Sequence, residues 1–171
     1  RKELGLPIAI LLDTKGPEYR IGTFLDGGVT LSDGDLFTFT TDDVVGDKTR
    51  VSVSYKTLSD ELSVGDTILL NNGLLIFSVR EINGGNIVCE VVSGGTLTDR
   101  KSMSFPGKVL KQKYLSDQDK DDIRFGIEQG VDFIACSFVS CRQDLIDVKD
   151  YITSLNAANL ELIAKIENRS G

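Results

Sequence analysis

The chain has 171 residues, of which 40% are hydrophobic and 26% charged, a composition typical of a globular protein with one or two domains. No apolar run is long enough to cross a bilayer and the N-terminal residues lack a signal-peptide pattern, so no membrane role is indicated. The formal net charge of -7 disfavours nucleic acid as a partner, because an anionic ligand would need a local cluster of positive groups.

The use of histidine and cysteine narrows the chemistry. The chain contains no histidine, which removes the commonest general base and zinc ligand and leaves carboxylates, lysines and hydroxyls. The three cysteines, Cys89, Cys136 and Cys141, have no CxxC spacing, which predicts reduced thiols and a cytoplasmic location. The chain begins without Met and stops just after a strand-like run, so we expect it to be a piece of a longer protein.

The first predicted element is a strand over residues 8–12. Its five successive apolar residues, IAILL, predict a strand buried on both faces, as in a parallel sheet. The segment at residues 13–17 then ends the strand, so polar groups gather at its C-terminal end.

From about residue 18 to residue 106 the pattern changes to short alternating runs separated by Gly, Asp and Asn turns. The predicted strands cover residues 36–40, 50–54, 67–70, 75–82 and 87–92. Their regular spacing predicts an all-β domain built as a small barrel or sandwich.

After residue 107 the pattern predicts alternating helices and strands. Ser116 is the predicted N-cap of a helix that has Asp117 and Asp119 in its first turn and ends at Gly130. The later elements are a strand over residues 132–138, a helix over 144–155 and a strand over 160–166. This order predicts parallel pairing through right-handed crossovers, so the fold class is an α/β layer interrupted by an inserted all-β domain.

Polar side chains follow each predicted strand of the α/β layer, where ligands bind in such folds. They include Asp13 and Lys15 after the first strand, Ser137 after the second, and Lys165 and Glu167 after the third. Alternation along a strand places Lys165 and Glu167 on one face, where a carboxylate can bind Mg2+ and an ammonium can neutralise a phosphate or an enolate oxygen. A structural ion pair at a strand end is the alternative, and the spacing alone does not decide.

No glycine-rich phosphate-binding motif occurs in the chain. A nucleotide would therefore have to be held by side chains such as Arg20, Arg100 and Lys101. Taken singly, each of these residues is better explained as a solvated surface charge.

Six short segments together resemble one enzyme family, pyruvate kinase. They are, in chain order, residues 12–20 (LDTKGPEYR), 72–74 (NGL), 105–107 (FPG), 125–132 (FGIEQGVD), 135–138 (ACSF) and 163–168 (IAKIEN). The combination of the first and last segments is highly specific. The resemblance implies a partial (β/α)8 TIM-type barrel of about three strands, formed by residues 1–15 and 109–171, interrupted at residues 16–108 by a small β-barrel lid domain.

The resemblance also implies roles for residues at the strand ends. Lys165 corresponds to the lysine that stabilises the transition state, and Glu167 to a ligand of Mg2+ or Mn2+. Asp13 and Thr14 correspond to residues that help to bind K+, Thr14 through its backbone carbonyl.

The substrates and partners are implied in the same way. Arg20 and Lys101 correspond to residues that contact the nucleotide phosphates. The parent enzyme would transfer a phosphoryl group from phosphoenolpyruvate to ADP, giving pyruvate and ATP in glycolysis, as a homotetramer without nucleic-acid or membrane partners. The isolated piece is expected to be inactive, since further substrate and metal residues of the family lie outside it.

Four residues depart from the family's usual pattern, and two other functions remain open. Asn71 and Asn72 replace two aspartates, which questions any lid contact with metal or nucleotide and favours a plain hairpin turn. Ser104 stands in place of Asn, and Ser140 in place of Arg. The alternatives are a non-catalytic module that binds a nucleotide or a partner, and another barrel enzyme that stabilises an enolate with Mg2+, such as an aldolase.

Overall fold

The structure, a computed structural model, describes residue 3 and residues 5–167 of the chain. It divides into two compact units, here called the α/β unit (residues 1–17 and 112–171) and the β unit (residues 18–111). In chain order the elements are β1 (Leu11–Asp13), β2 (Gly28–Leu31), β3 (Leu36–Thr40), β4 (Arg50–Ser52), α1 (Leu58–Glu61), β5 (Thr67–Leu70), β6 (Leu75–Asn83), β7 (Asn86–Ser93), β8 (Gly95–Thr98), β9 (Met103–Ser104), α2 (Asp117–Glu128), β10 (Phe133–Cys136), α3 (Arg142–Ser154) and β11 (Glu161–Ala164).

The α/β unit contains a three-stranded sheet in the order β1-β10-β11, with both pairs parallel. Helix α2 precedes β10 and helix α3 connects β10 to β11, so the predicted sequence of parallel strands and crossover helices is confirmed. Ile123 of α2, Ile134 of β10 and Ile152 of α3 are fully buried in the core of this unit.

Helix α2 begins where the sequence predicts, and its first turn explains why. Ser116 is the N-cap, and its side chain and that of Asp119 form a capping box, each bonded to the other residue's backbone N–H. Gly130, which follows the helix, has a φ of 70°, a left-handed conformation that glycine adopts readily.

The predicted burial of residues 8–12 on both faces is wrong for this structure. The strand β1 begins only at Leu11, and the exposed fractions of Ile8, Ile10 and Leu11 are 50%, 44% and 48%. The physical reason lies in the sheet order, because among the described residues β1 is an edge strand with β10 as its one partner. A continuous apolar run predicts a strand but does not reveal how many neighbours cover it.

The β unit consists of a six-stranded sheet in the order β4-β3-β7-β6-β5-β9 and a two-stranded sheet of β2 and β8. The five strands predicted from the alternating pattern correspond to β3, β4, β5, β6 and β7. Phe37, Phe39 and Phe77 are fully buried, and their rings meet at the centre of the core.

The sequence patterns did not predict three strands and a one-turn helix of the β unit. The strands are β2, β8 and β9, which are two to four residues long, and the helix is α1. The runs are too short, and too rich in Gly, Ser and Thr, for a clear two-residue alternation.

The segment at residues 71–74 is the turn of the β5–β6 hairpin. Asn71 and Asn72 have φ values of 50° and 58°, a left-handed conformation that asparagine tolerates better than most residues. The prediction of a hairpin turn at this position is confirmed.

In the part of the chain that the structure describes, no helix has the length and apolar character needed to cross a membrane.

A candidate active site at the C-terminal edge of the parallel sheet

The ends of the three parallel strands bring together side chains that are far apart in the sequence. Asp13 is the last residue of β1, Ser137 directly follows β10, and Lys165 directly follows β11. Because parallel strands end at the same edge of a sheet, these three residues meet there. Of the predicted site residues, Asp13, Thr14, Lys165 and Glu167 lie in this unit.

Lys165 lies at the centre of this cluster. Its Nζ atom donates hydrogen bonds to Asp13 Oδ1 and Ser137 Oγ, both at 2.9 Å, and lies 3.6 Å from Glu167 Oε1. The Lys165 side chain is 31% exposed, so the ammonium is partly shielded but still reaches solvent. The Lys165 ammonium is thus held between the carboxylates of Asp13 and Glu167.

The pKa shifts of Asp13 and Lys165 follow from these contacts. The hydrogen bond from Lys165 lowers the pKa of Asp13; the cost of burial opposes this effect, and the hydrogen bond from Ser137 adds to it. The hydrogen bond to Asp13 raises the pKa of Lys165, and the charges of Asp13 and Glu167 act in the same direction. Lys165 is therefore an ammonium at neutral pH, suited to an anion.

Glu167 is held by the backbone as well as by Lys165. Its Oε2 atom accepts a hydrogen bond from the backbone N–H of Phe138 at 2.9 Å. Phe138 has a φ of 57°, which is rare for a bulky residue and turns the chain sharply after β10. Such strained conformations occur often at functional sites, where the surrounding structure maintains them.

Thr14 and the loop that follows it pack under the cluster. Thr14 is 7% exposed, and its hydroxyl donates to the Ala135 carbonyl at 3.2 Å and accepts from the Ser137 N–H at 3.3 Å. The hydroxyl thus links β1 to the turn after β10, and the resemblance assigns the cation contact of this residue to its backbone carbonyl instead.

Asp119 ties the same loop to helix α2. Its carboxylate is 2% exposed and accepts hydrogen bonds from Gly16 N at 3.0 Å and Ser116 N at 3.2 Å. The sequence predicted Asp119 only as an acidic residue in a first helical turn, since its contact with Gly16 spans 103 positions. Ser137 was likewise named as a strand end without a role, because a serine in an apolar run carries no distinctive signal.

The two remaining predicted site residues, Arg20 and Lys101, lie in the β unit. Arg20 forms an isolated bridge with Ser102, and Ile21 N donates to the Lys101 carbonyl at 3.0 Å, so the two segments are adjacent. The Arg20 guanidinium donates to the Arg100 carbonyl at 2.6 Å and pairs with Glu18 at 2.5 Å. The backbone segments that carry Arg20, Arg100 and Lys101 are thus adjacent.

Carboxylate oxygens are the donors that this edge of the sheet offers to a metal ion. Among the described residues, no group of three or more His, Cys, Asp or Glu side chains is placed to hold a metal. Mg2+ in enzymes is often bound through one or two carboxylates together with substrate phosphates and water, so a single carboxylate such as that of Glu167 is compatible with such a site.

Comparison with known proteins places the chain in one group. A family model described as pyruvate kinase, barrel domain, matches residues 1–171. The chain is 40% identical to a pyruvate kinase of Clostridium perfringens over 100% of its own length and 36% of the relative. It is 42% identical to a pyruvate kinase of Bacillus licheniformis over 99% of its length and 29% of the relative. The chain spans about a third of the length of these curated relatives.

Proposed function

Because the chain belongs to the pyruvate kinase family, we propose that it forms part of an enzyme that transfers the phosphoryl group of phosphoenolpyruvate to ADP. The observation that carries this proposal is the placement of Lys165 Nζ, 2.9 Å from Asp13 and from Ser137 and 3.6 Å from Glu167. The family match favours this reaction over that of an aldolase or another enolate-forming barrel enzyme.

Lys165 is the proposed catalytic residue. Transfer of the phosphoryl group leaves the enolate of pyruvate, and negative charge also spreads over the oxygens of the group in transit. A fixed ammonium near these oxygens stabilises the transition state more than the ground state, since the charge on the oxygens grows during the reaction. The raised pKa of Lys165 keeps that ammonium protonated.

Glu167 is the proposed ligand of Mg2+ or Mn2+, and Asp13 with the Thr14 carbonyl is the proposed contribution to a K+ site. All three donors are hard oxygen atoms, which suit these cations. A bound divalent cation supplies neutralisation of the phosphate charge. The backbone N–H of Phe138 holds one Glu167 oxygen, so the carboxylate is oriented before any ligand arrives.

Arg20 and Lys101 are the proposed contacts for the nucleotide phosphates. The support is that they lie side by side in the β unit and that guanidinium and ammonium groups suit phosphate oxygens. Arg20 would exchange its contact with Glu18 for one with phosphate. We propose that the β unit is the lid domain and that the α/β unit is part of a (β/α)8 barrel, in a cytoplasmic homotetramer.

Substitution of Lys165 tests this function in the full-length enzyme that contains this chain. Lys165→Met should lower kcat for ATP formation by about 100-fold or more, while the KM for ADP changes little. Lys149→Met is the matched control, because Lys149 lies in α3 and donates to the Ala158 and Leu160 carbonyls instead of facing the strand ends. Unchanged turnover in Lys165→Met would refute the role.

The 171-residue chain alone should show no turnover with phosphoenolpyruvate, ADP, Mg2+ and K+. The reason is that it spans about a third of its relatives, whereas phosphoryl transfer needs both substrates and the metal held together. Clear activity of the isolated chain would contradict this expectation.

A further inference from the structure

The turn after β10 contacts both side chains on which the proposed transfer depends. Ser137 Oγ accepts a hydrogen bond from Lys165 Nζ at 2.9 Å, and the next backbone N–H, that of Phe138, donates to Glu167 Oε2 at 2.9 Å. Two adjacent residues thus hold the ammonium and the carboxylate together.

Ser137 is the most firmly embedded of the partners that hold Lys165. It is 3% exposed, whereas the side chains of Asp13 and Glu167 are 60% and 35% exposed. The Ser137 carbonyl accepts a hydrogen bond from Tyr114 Oη at 2.7 Å, and its N–H donates to Thr14 Oγ1 at 3.3 Å. The backbone on both sides of the hydroxyl is therefore fixed.

The directions of its hydrogen bonds show how the Ser137 hydroxyl binds Asp13 and Lys165 at the same time. It donates its single proton to Asp13 Oδ1 at 3.1 Å, so a lone pair is left to accept from Lys165. Asp13 and Glu167 are charged and are the proposed cation ligands, so binding a cation competes with their hold on Lys165. Ser137 is neutral and buried, and its contact with the ammonium does not face that competition.

We propose that Ser137 is a positioning residue, whose hydroxyl holds the Lys165 ammonium while the turn it begins holds Glu167. The inference rests on the proposed function, because it assigns Ser137 to the same transfer reaction. Without the hydroxyl, Lys165 keeps its charge but loses its buried anchor, so its position is less well defined when Asp13 binds a cation. The catalytic role stays with Lys165.

The first test is a measurement of side-chain motion in this chain, independent of any activity. We expect Ser137→Ala to lower the NMR order parameter at Lys165 Cε toward the range of flexible groups, below about 0.6. Lys149, which also donates two hydrogen bonds in the same unit, is the internal reference and should not change. Thr40→Val removes a buried hydroxyl from the β unit and should leave Lys165 unaffected.

Two further variants keep the test decisive. Ser137→Thr retains the hydroxyl and should restore the order parameter of Lys165. Ser137→Cys has a similar size and only a weak donor, so it can replace Ser137→Ala if that variant loses its fold, with the same expected result. An order parameter at Lys165 that is unchanged when the hydroxyl is lost would overturn the proposal and leave Asp13 as the residue that holds the ammonium.

The second test uses the full-length enzyme. Ser137→Ala should lower kcat by about 10- to 100-fold with little change in the KM for ADP, because a misplaced ammonium affects the transition state more than nucleotide binding. A change confined to KM would contradict the positioning role. If the unsubstituted enzyme transfers no phosphoryl group, the proposed function fails, while the NMR comparison still decides whether Ser137 holds Lys165.

Discussion

Asp13 and Lys165 are 152 positions apart in the sequence, yet their charged atoms are 2.9 Å apart. Each changes the acid–base behaviour of the other, since their hydrogen bond is the largest cause both of the lowered pKa of Asp13 and of the raised pKa of Lys165. At this scale the site is a small network in which a neutral hydroxyl, that of Ser137, joins the two charges.

Asp13→Asn should lower the pKa of Lys165 toward its ordinary value of 10.5, because the amide oxygen carries no charge and is a weaker acceptor. The measurement is a pH titration of the Lys165 Cε and Nζ signals by NMR. A Lys165 pKa that does not fall would show that Glu167, and not Asp13, keeps it raised.

The same substitution has a pH-dependent effect on stability. The pKa of Asp13 is lowered from 3.8 on folding, so its contribution to the free energy of unfolding is fully present above pH 3.8 and is lost as the pH falls through the lowered value. The stability difference between the unsubstituted chain and Asp13→Asn should therefore shrink on acidification. Asp43→Asn is the control, since Asp43 pairs with Lys56 on the surface of the β unit and its loss should have little effect.

The three cysteines should differ sharply in reactivity. Cys89 and Cys136 are buried, and burial raises their pKa values to about 12 and about 11, whereas Cys141 is exposed at the start of α3. Iodoacetamide at pH 8 should modify Cys141 in the folded chain and all three thiols in denaturant, as read by mass spectrometry. Rapid modification of Cys136 without denaturant would mean that the sheet of the α/β unit opens readily.

At the scale of elements, the loop between β1 and the β unit is held against the turn after β10. Gly16 has a φ of 63°, and a Cβ atom at this position would lie 2.5 Å from the Ser137 carbonyl oxygen. Its N–H donates to the buried carboxylate of Asp119. Glycine is thus required here both by backbone conformation and by close packing.

Gly16→Ala should destabilise the α/β unit by about 2–5 kcal/mol, the sum of left-handed strain and overpacking. Gly130→Ala is the matched control, because Gly130 has a φ of 70° but open space around its Cβ position, and it should cost only about 1–2 kcal/mol. The measurement is amide hydrogen exchange of α2 and β10 under native conditions. Equal costs at the two positions would show that the contact with Ser137 adds nothing.

At the scale of the whole molecule, the chain consists of two units, each with its own hydrophobic core. The β unit is a continuous segment of the chain, residues 18–111, with its own buried aromatic centre, whereas the α/β unit is assembled from two segments. Units of this kind can unfold separately, so one transition should not be assumed for the chain.

Residues 18–111 should fold when expressed alone, because their core is complete within that segment. The expected result is an NMR amide spectrum whose peaks overlay those of the same residues in the 171-residue chain. A spectrum typical of an unfolded chain would contradict this independence.

Calorimetric titration of the same segment with ADP separates two functions. Under the proposed function the binding should be weak, because Arg20 and Lys101 supply only part of the contacts that a nucleotide needs. Tight binding to the isolated segment would favour a non-catalytic nucleotide-binding module.

The sequence by itself determined much of the local structure and the family. Apolar runs predicted β10 and β11, capping residues predicted α2, and alternation predicted the longer strands of the β unit, because these patterns depend on neighbours within a few residues. The segments around Asp13 and Lys165 were specific enough to indicate pyruvate kinase, and the family match agrees. Asn168, the last residue of the second segment, lies outside the described residues.

Only the tertiary structure decided which groups touch at the strand ends. It brought Ser137 between Asp13 and Lys165, placed Asp119 against Gly16, and left β1 at an exposed edge. These facts depend on contacts between residues 28 to 124 positions apart or on the number of neighbouring strands. No local pattern records them, since a serine or an aspartate near a helix start has the same sequence signature whether or not another loop reaches it.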